Sequence, residues 1–313
     1  MPFSDRKARI FVAGHQGLAG SAIVRNLREK GYSNLVLRTR SELDLADQRA
    51  VHEFFLKNPI DFVFVAAAKV GGILANSTYP ADFLYENLIL ECNVIHAAAK
   101  ANVQKLLFLG SSCIYPRLAP QPIQESSLLT GPLEPTNEWY AIAKIAGLKL
   151  CEAYKKQYRK NFISAMPTNL YGPGDNFHPD NSHVIPGLMR RIHEAKTGGA
   201  KTVSIWGTGK PKREFLHVDD LAEALVLIMD RYEDAAPINV GTGSEVTIGE
   251  LAEMLVKTVG FQGGLEFDSS KPDGTPRKVL NVDRLKSLGW TPRYDLKQGL
   301  ANTYRWYMES VAK

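Results

Sequence analysis

Residues 8–31, "ARIFVAGHQGLAGSAIVRNLREKG", constrain the fold of this chain more than any other stretch. A β-branched and aromatic run breaks at glycine and resumes as an amphipathic helical pattern. Gly14, Gly17 and Gly20 fall at the break, with the spacing GxxGxxG and Leu18 among them. Three glycines alone would mean only a tight turn. Placed between a strand and a helix, they let backbone N–H groups at the helix start face a pyrophosphate, so the turn is read as dinucleotide-binding.

The same alternation continues downstream. Apolar runs at "NLVLR", "DFVFVAAA", "KLLFLGSS" and "FISAMPTNLYG" read as strands, with helical patterns at "QRAVHEFFL", "FLYENLILECNVIHAAAKA" and "EWYAIAKIAGLKLCEAYKKQY" between them. Strand and helix in alternation imply an α/β fold, a Rossmann-type doubly wound parallel sheet. From Tyr171 the pattern loosens into the Gly-, Pro- and Asn-rich loop "YGPGDNFHPDNSHVIPG". "KTVSIWG", "REFLHVDDLAEALVLIMDRY" and "INVGTG" return to strand and helix, and the last third is mainly helical. The expected division is a dinucleotide domain over residues 1–172 with roughly 215–242. A smaller, discontinuous, mostly helical substrate domain would take 173–214 and 243–313.

The second strand bears on the choice of dinucleotide. An acid at its end suits the ribose hydroxyl of NAD, whereas a 2′-phosphate needs cations. Here "NLVLRTRSELDL" offers Arg38 and Arg40, and no carboxylate before Glu42. NADPH, as NADPH/NADP+, is the expected cofactor.

Two further motifs carry chemistry. Tyr140 and Lys144 stand four apart on a helical pattern and so project from one face. An ammonium nearby is expected to lower the phenol from its ordinary pKa of about 10, making it a usable acid towards a carbonyl oxygen. Ser111, at another strand end, is placed to bond the same oxygen. Cys113, two residues from that serine, is more than a ketone reductase needs.

The chain has 313 residues, 44% hydrophobic and 23% charged, with a net charge of +5. Its basic residues are scattered among acids without stacking motifs, which argues against nucleic acid. No apolar run reaches the ~18 residues of a membrane span, and no secretory signal is visible. The three cysteines show neither disulfide nor zinc spacing, so no metal is expected and a reducing, cytoplasmic setting is. Cys92 and Cys151 read as helix packing, and His15 and His178 as solvated loop histidines.

The motifs "GHQGLAG", "LGSSCIY", "YAIAK", "PTNLYGPGDN" and "REFLHVDDLA" together resemble the extended short-chain dehydrogenase/reductases over nearly the whole chain. "SSCIYP", "EPTNEWYAIAKIAG", "NFHPDNSHVIP" and "KPDGTPRK" resemble a narrower branch, which epimerises and then reduces GDP-4-dehydro-6-deoxy-D-mannose. The resemblance implies Cys113 as the carbon base and His183 as the acid, beside Ser111, Tyr140 and Lys144. It also implies cofactor contacts from Leu109, Gly110 and Ser112, from Pro167, Thr168, Asn169 and Leu170, and from His183. Arg191, Trp206, Arg213 and Asp273 match substrate positions, and a homodimer is usual in the family. One position departs: many relatives carry Arg where this chain has Gln16, which leaves the extra phosphate to Arg38 and Arg40. The alternatives are another nucleotide-sugar epimerase or dehydratase, or a catalytically silent dinucleotide-sensing module.

Overall fold

The computed structural model describes residues 2–179, 181–271 and 273–312, apart from the side chains at 73 and 74. In the first part of the chain, strands β1 (Ile10–Ala13), β2 (Leu35–Val36), β3 (Phe62–Val65), β4 (Lys105–Leu109) and β5 (Asn161–Pro167) alternate with helices. These helices are α1 (Leu18–Glu29), α2 (Gln48–Lys57), α3 (Ile73–Thr78), α4 (Pro80–Lys100) and α5 (Glu138–Tyr158). Then follow β6 (Asn169–Tyr171), α6 (Val184–Thr197), β7 (Thr202–Trp206), β8 (Lys212–Arg213), β9 (Phe215–His217), α7 (Val218–Arg231) and β10 (Ile238–Val240). The last part holds β11 (Val246–Thr247), α8 (Ile248–Val259), β12 (Gly264–Asp268), β13 (Arg277–Lys278), α9 (Asp283–Ser287) and α10 (Leu296–Ser310).

Six strands form one parallel sheet in the order β10-β5-β4-β3-β1-β2. Continuous apolar runs such as "FVFV" and "KLLFL" are what a sheet covered on both faces requires, and β1, β3 and β4 are buried throughout. One face packs on α1 and α7 through Ile23, Leu27, Leu221 and Leu225; the other packs on α2, α4 and α5 through Phe55, Val94 and Leu148. A third core, built from Ile185, Met189, Ile205, Leu251, Leu255 and Leu300, lies under α6, α8 and α10.

Local chemistry sets the element ends. The Asp47 side chain accepts from Ala50 N at the start of α2, a cap worth ~1 kcal/mol. Thr247 with Glu250 and Asp295 with Gln298 form capping boxes on α8 and α10. Three expectations are corrected. The second strand is only two residues long and ends before Arg38. "FISAMPTNLYG" is two strands: β5 stays in the large sheet, with Thr168 N still donating to Val240 O of β10, and β6 pairs instead with β9. The last part of the chain also adds strand ladders, β11-β8-β13 and β12-β7.

Candidate active site

The strand order reverses between β1 and β3, and ligands of such sheets bind outside the carboxyl ends at that point. The glycine turn lies there. Gly14 has φ +81°, and a Cβ on it would meet the Ala67 backbone at 2.7 Å, just beyond β3. A Cβ on Gly20 would sit 2.0 Å from Gly14 O. Gly17, the N-cap of α1, supplies no side-chain cap, so Leu18 and the first turn present their N–H groups to the crevice. His15 Nδ1 is enclosed there without a hydrogen-bond partner, which corrects its reading as solvated and leaves a polar atom facing the turn. This turn fits a pyrophosphate. At the end of β2, Arg38 and Arg40 are exposed, while the Glu42 carboxylate is taken by Thr39 N at 2.8 Å and Thr39 Oγ1 at 2.9 Å. Both bonds turn Glu42 Oε2 back onto Thr39, and the two exposed arginines beside it suit a 2′-phosphate.

Next to this crevice, β4 ends at Leu109. Gly110 bonds Ala165 O at 2.9 Å, and a Cβ on it would overlap Met166 at 2.5 Å. Ser111 then caps a short 3-10 turn, Ser112–Ile114, and its Oγ accepts the Cys113 N–H at 3.2 Å. That bond uses an acceptor site on the hydroxyl and leaves its proton free to donate. Ser112 is buried behind it. Beyond β5, Pro167 precedes Thr168 and Asn169, which are fixed by Glu214 O at 3.3 and 2.8 Å, with Leu170 half-buried beside them.

Tyr140 and Lys144 share one face of α5, as the spacing predicts, but their electrostatics differ from expectation. Lys144 is buried and forms an ion pair with Glu91 of α4 at 2.7 Å, its Nζ standing 5.8 Å from the Tyr140 ring centre. The phenol's pKa is raised, not lowered: burial dominates, Cys113 and Glu91 add to it, and a Ser111 hydrogen bond opposes it. The physical reason is burial, which penalises the phenolate, while the one neighbouring ammonium is itself paired with Glu91. Tyr140 keeps part of its ring open to the cleft even so.

Cys113 is half-buried, and two donors face its Sγ: Asn137 Nδ2 at 3.5 Å and Lys278 Nζ at 3.6 Å. His183 is the N-cap residue of α6. Its surface opens on the cleft, yet surrounding protein atoms and then Lys278 push its pKa down from 6.5. Lys278 thus stands between the two expected carbon-acid groups. Of the other cysteines, Cys151 is buried as expected, but Cys92 is exposed on the outer side of α4, because residue 92 faces away from the sheet.

The expected substrate residues gather further out. Trp206 is 58% exposed, so it is not core; the Arg191 guanidinium lies 6.0 Å and Lys271 Nζ 5.8 Å from its ring centre. Arg191 is held by Ser204 O and Arg213 by Lys212 O. Burial lowers the Arg213 pKa while Glu134 and Asp273 oppose that shift. Asp273 bonds Thr208 N at 2.7 Å and Thr208 Oγ1 at 2.8 Å, which fixes the turn after Trp206. Sequence reasoning missed Glu91, Asn137, Lys271 and Lys278. The last two stand in "KPDGTPRK", and Glu91 is the one acid in the apolar stretch "LILECNVIHAAA", a signal that was there to be read. A separate cavity of about 470 Å³, lined by Arg6, Lys30, Tyr32, Glu223, Trp290 and Arg293 among others, holds none of these groups.

A switch point with an uncapped helix start, and a serine turn and tyrosine at its rim, make this a nicotinamide-dinucleotide enzyme by class. Known proteins place it more closely. The family model for the NAD dependent epimerase/dehydratase family matches residues 10–241, and the chain belongs to that family. It is 62% identical over 309 residues to a putative GDP-L-fucose synthase 2 of Arabidopsis thaliana, covering 99% of this chain and 94% of that protein. It is 59% identical to the GDP-L-fucose synthase of Escherichia coli K12, covering 97% and 98% of the two chains. Among solved structures, an NADP-bound GDP-L-fucose synthetase from Naegleria fowleri aligns with a TM-score of 0.90 at 28% identity, covering 98% and 95%. An NADP-bound GDP-mannoheptose C4 reductase from Campylobacter jejuni aligns at 0.89 and 40%, covering 97% and 99%.

Proposed function

We infer that this protein makes GDP-L-fucose from GDP-4-dehydro-6-deoxy-α-D-mannose, by epimerisation at carbons three and five followed by NADPH-dependent reduction at carbon four. The relatives at 56–62% identity support the reaction, and the NADP-bound structural neighbours support the cofactor. Within the site, the observation that carries the reading is the thiol of Cys113 two residues from Ser111, on the turn that Tyr140 faces.

Hydrogens on carbons three and five are both alpha to the ketone, so removing either puts charge on the carbonyl oxygen. Ser111 and Tyr140 donate to that oxygen, and the same donors serve when hydride reduction charges it later. Cys113 takes the carbon-bound proton, with the Lys278 ammonium as counter-charge at its sulfur. His183 returns a proton on the other face. Burial and then Lys278 lower its pKa, which makes the imidazolium a stronger acid towards the carbon. The reduced nicotinamide supplies the hydride when bound. Gly14, Gly17, Leu18 and Gly20 hold the pyrophosphate, Arg38 and Arg40 the 2′-phosphate, and the ends of β4 and β5 the nicotinamide side. Arg191 and Arg213 bind the GDP diphosphate, Trp206 offers a stacking face, and Asp273 positions the intervening turn.

By domain, residues 1–172 with 215–242 serve the dinucleotide, and 173–214 with 243–313 the substrate; Leu280, Val282 and Leu285 also pack on the large sheet. We place the enzyme in the cytoplasm; among the described residues no helix is long and apolar enough to cross a membrane. A homodimer through α4 and α5 accounts for Tyr85, Trp139, Ile142 and Tyr158, large apolar side chains left exposed on those helices. Light scattering should give twice the chain mass at micromolar concentration; a monomer mass rejects the dimer. The function is tested by incubation with GDP-4-dehydro-6-deoxy-mannose and NADPH and identification of the product. GDP-L-fucose is expected. Bound NAD with no NADPH consumption would instead mark a dehydratase or epimerase of the same family.

A further inference from the structure

Two epimerisations during one stay of the substrate leave a proton in the wrong place. Cys113 takes the hydrogen of one carbon as a proton, and His183 gives a proton to the opposite face of that carbon. The sulfur is then a thiol and the imidazole is neutral. The second carbon again needs a thiolate and an imidazolium, so one proton has to pass from sulfur to nitrogen. Inversion requires the two groups on opposite faces, and the sugar ring lies between them.

We infer that Lys278 is the relay that returns this proton and so resets the pair between the two epimerisations, a step that rests on the roles proposed above for Cys113 and His183. The ammonium gives a proton to the imidazole as its nitrogen takes the proton of the thiol. One N–H and one S–H bond break, two N–H bonds form, and the total charge is unchanged. The ammonium is restored, so nothing is consumed.

The surroundings single out this side chain. Cys113 Sγ has Asn137 Nδ2 at 3.5 Å and Lys278 Nζ at 3.6 Å, and of the two only the lysine can exchange a proton. A small cavity of about 30 Å³ beside the thiol is lined by Arg117, Glu134, Arg277 and Lys278 among others. Guanidinium groups keep their protons in proteins, which sets both arginines aside. The carboxylates nearby are engaged elsewhere, Glu134 with Arg117 at 3.1 Å and Glu245 with Arg277 at 2.8 Å. Lys278 is half-buried on β13, its backbone fixed opposite Arg213 of β8, and its four-carbon stem leaves the ammonium free to swing. Its charge also bears on His183, lowering the imidazole pKa after burial has done so.

The test compares Lys278→Arg with the unaltered enzyme, with NADPH present and the products separated by how many carbons are inverted. Arginine keeps a cation at the sulfur but does not release its proton, so it tells a relay from a counter-charge. Solvent sets the pair before the substrate binds, and the first inversion draws on that; the second has only the relay. The variant should therefore release mainly a GDP-6-deoxy-sugar inverted at one carbon. The ratio of doubly to singly inverted product should fall about 10²-fold, the low end for losing a proton-transfer group. An unchanged ratio overturns the inference. So does an equal loss of deuterium uptake at both carbons in the folded variant, read by NMR in heavy water with NADP+ bound, because Lys278 would then serve the first step as well. Lys278→Ala gives a second reading: added methylamine should restore the doubly inverted product. Equal restoration by tetramethylammonium, a cation with no proton to give, also overturns it. Wild-type exchange in Cys113→Ser would instead remove the base itself, and with it the proposed epimerisation rather than the relay alone.

Discussion

Lys144 and Arg213 are both cations of one cleft, and they are held in opposite ways. Lys144 is enclosed between α4 and α5 and matched by a buried carboxylate. Arg213 lies on a two-residue strand with its guanidinium against a backbone carbonyl, and Glu134 and Asp273 reach it only through space. Around each the pattern repeats: Ser111 and Cys113 are tied into a 3-10 turn, whereas Trp206 is 58% exposed between two cations. The proposed reacting end is ordered by folding, and the proposed nucleotide end is left for the ligand to order. Preorganised donors lower barriers, while exposed contacts mainly set affinity. Substitutions should therefore separate into effects on kcat at one end and on KM at the other.

The largest effect is expected from Tyr140→Phe. Removing the proton donor should lower kcat for reduction about 10²–10⁴-fold and change KM for the GDP-sugar little. Steady-state kinetics with NADPH absorbance reads both. A raised KM with kcat intact would erase the contrast between the two ends.

Cys113→Ser should be nearly as severe, but only for carbon–hydrogen chemistry. With NADP+ bound in heavy water, deuterium uptake at carbons three and five should fall ~10²-fold or more, since a hydroxyl is hardly ionised near neutral pH. Slow reduction of the unepimerised ketone should survive, because Ser111, Tyr140 and Lys144 remain. NMR exchange at the wild-type rate would make the thiol a packing group and return the site to simple reduction.

Much of the reacting end was legible in the sequence because local spacing fixes it. The four-residue step from Tyr140 to Lys144 puts both on one helical face, and the run into Gly110 places Ser111 at a strand end. What that spacing did not reveal is the partner from another helix. Glu91 is 53 positions from Lys144 and meets it only through the packing of α4 on α5, and the tyrosine pKa is raised by burial first, with Cys113 and Glu91 adding to it. Lys278 is 165 positions from Cys113 and meets it only because β13 pairs with β8. Trp206 shows the opposite limit. Its strand alternates exposed and buried residues, a pattern that leaves residue type alone unable to separate core from stacking surface.

At the nucleotide end, Arg213→Met should raise KM for the GDP-sugar about 10–100-fold and leave kcat within a few-fold. This is the scale of losing charge-assisted hydrogen bonds worth ~1.5–3 kcal/mol. The methionine keeps the apolar stem, so a loss of stability would not be confused with a loss of contact. A fall in kcat with KM unchanged would mean that the diphosphate contact is realised only in the transition state, and that this end too is preorganised.

The smallest effect is expected where the cleft is most open. Arg38 is committed to Leu37 O at 2.8 Å and lies 5.7 Å from the Phe54 ring centre, while Arg40 is exposed on the other side of Thr39. The Glu42 carboxylate beside them is turned back on Thr39 through Oε2. Arg40→Ala should therefore narrow the preference for NADPH over NADH by roughly tenfold, one charge-assisted contact, without lowering the rate at saturating NADH. Exposed charges are screened, so the narrowing should itself shrink between 0.05 and 0.5 M salt, concentrations that span the ~10 Å screening length at about 0.1 M. The check is kcat/KM for both cofactors at the two salt concentrations. Equal use of NADH and NADPH by the unaltered protein would show that Arg38 and Arg40, without an arginine at Gln16, do not select the phosphate.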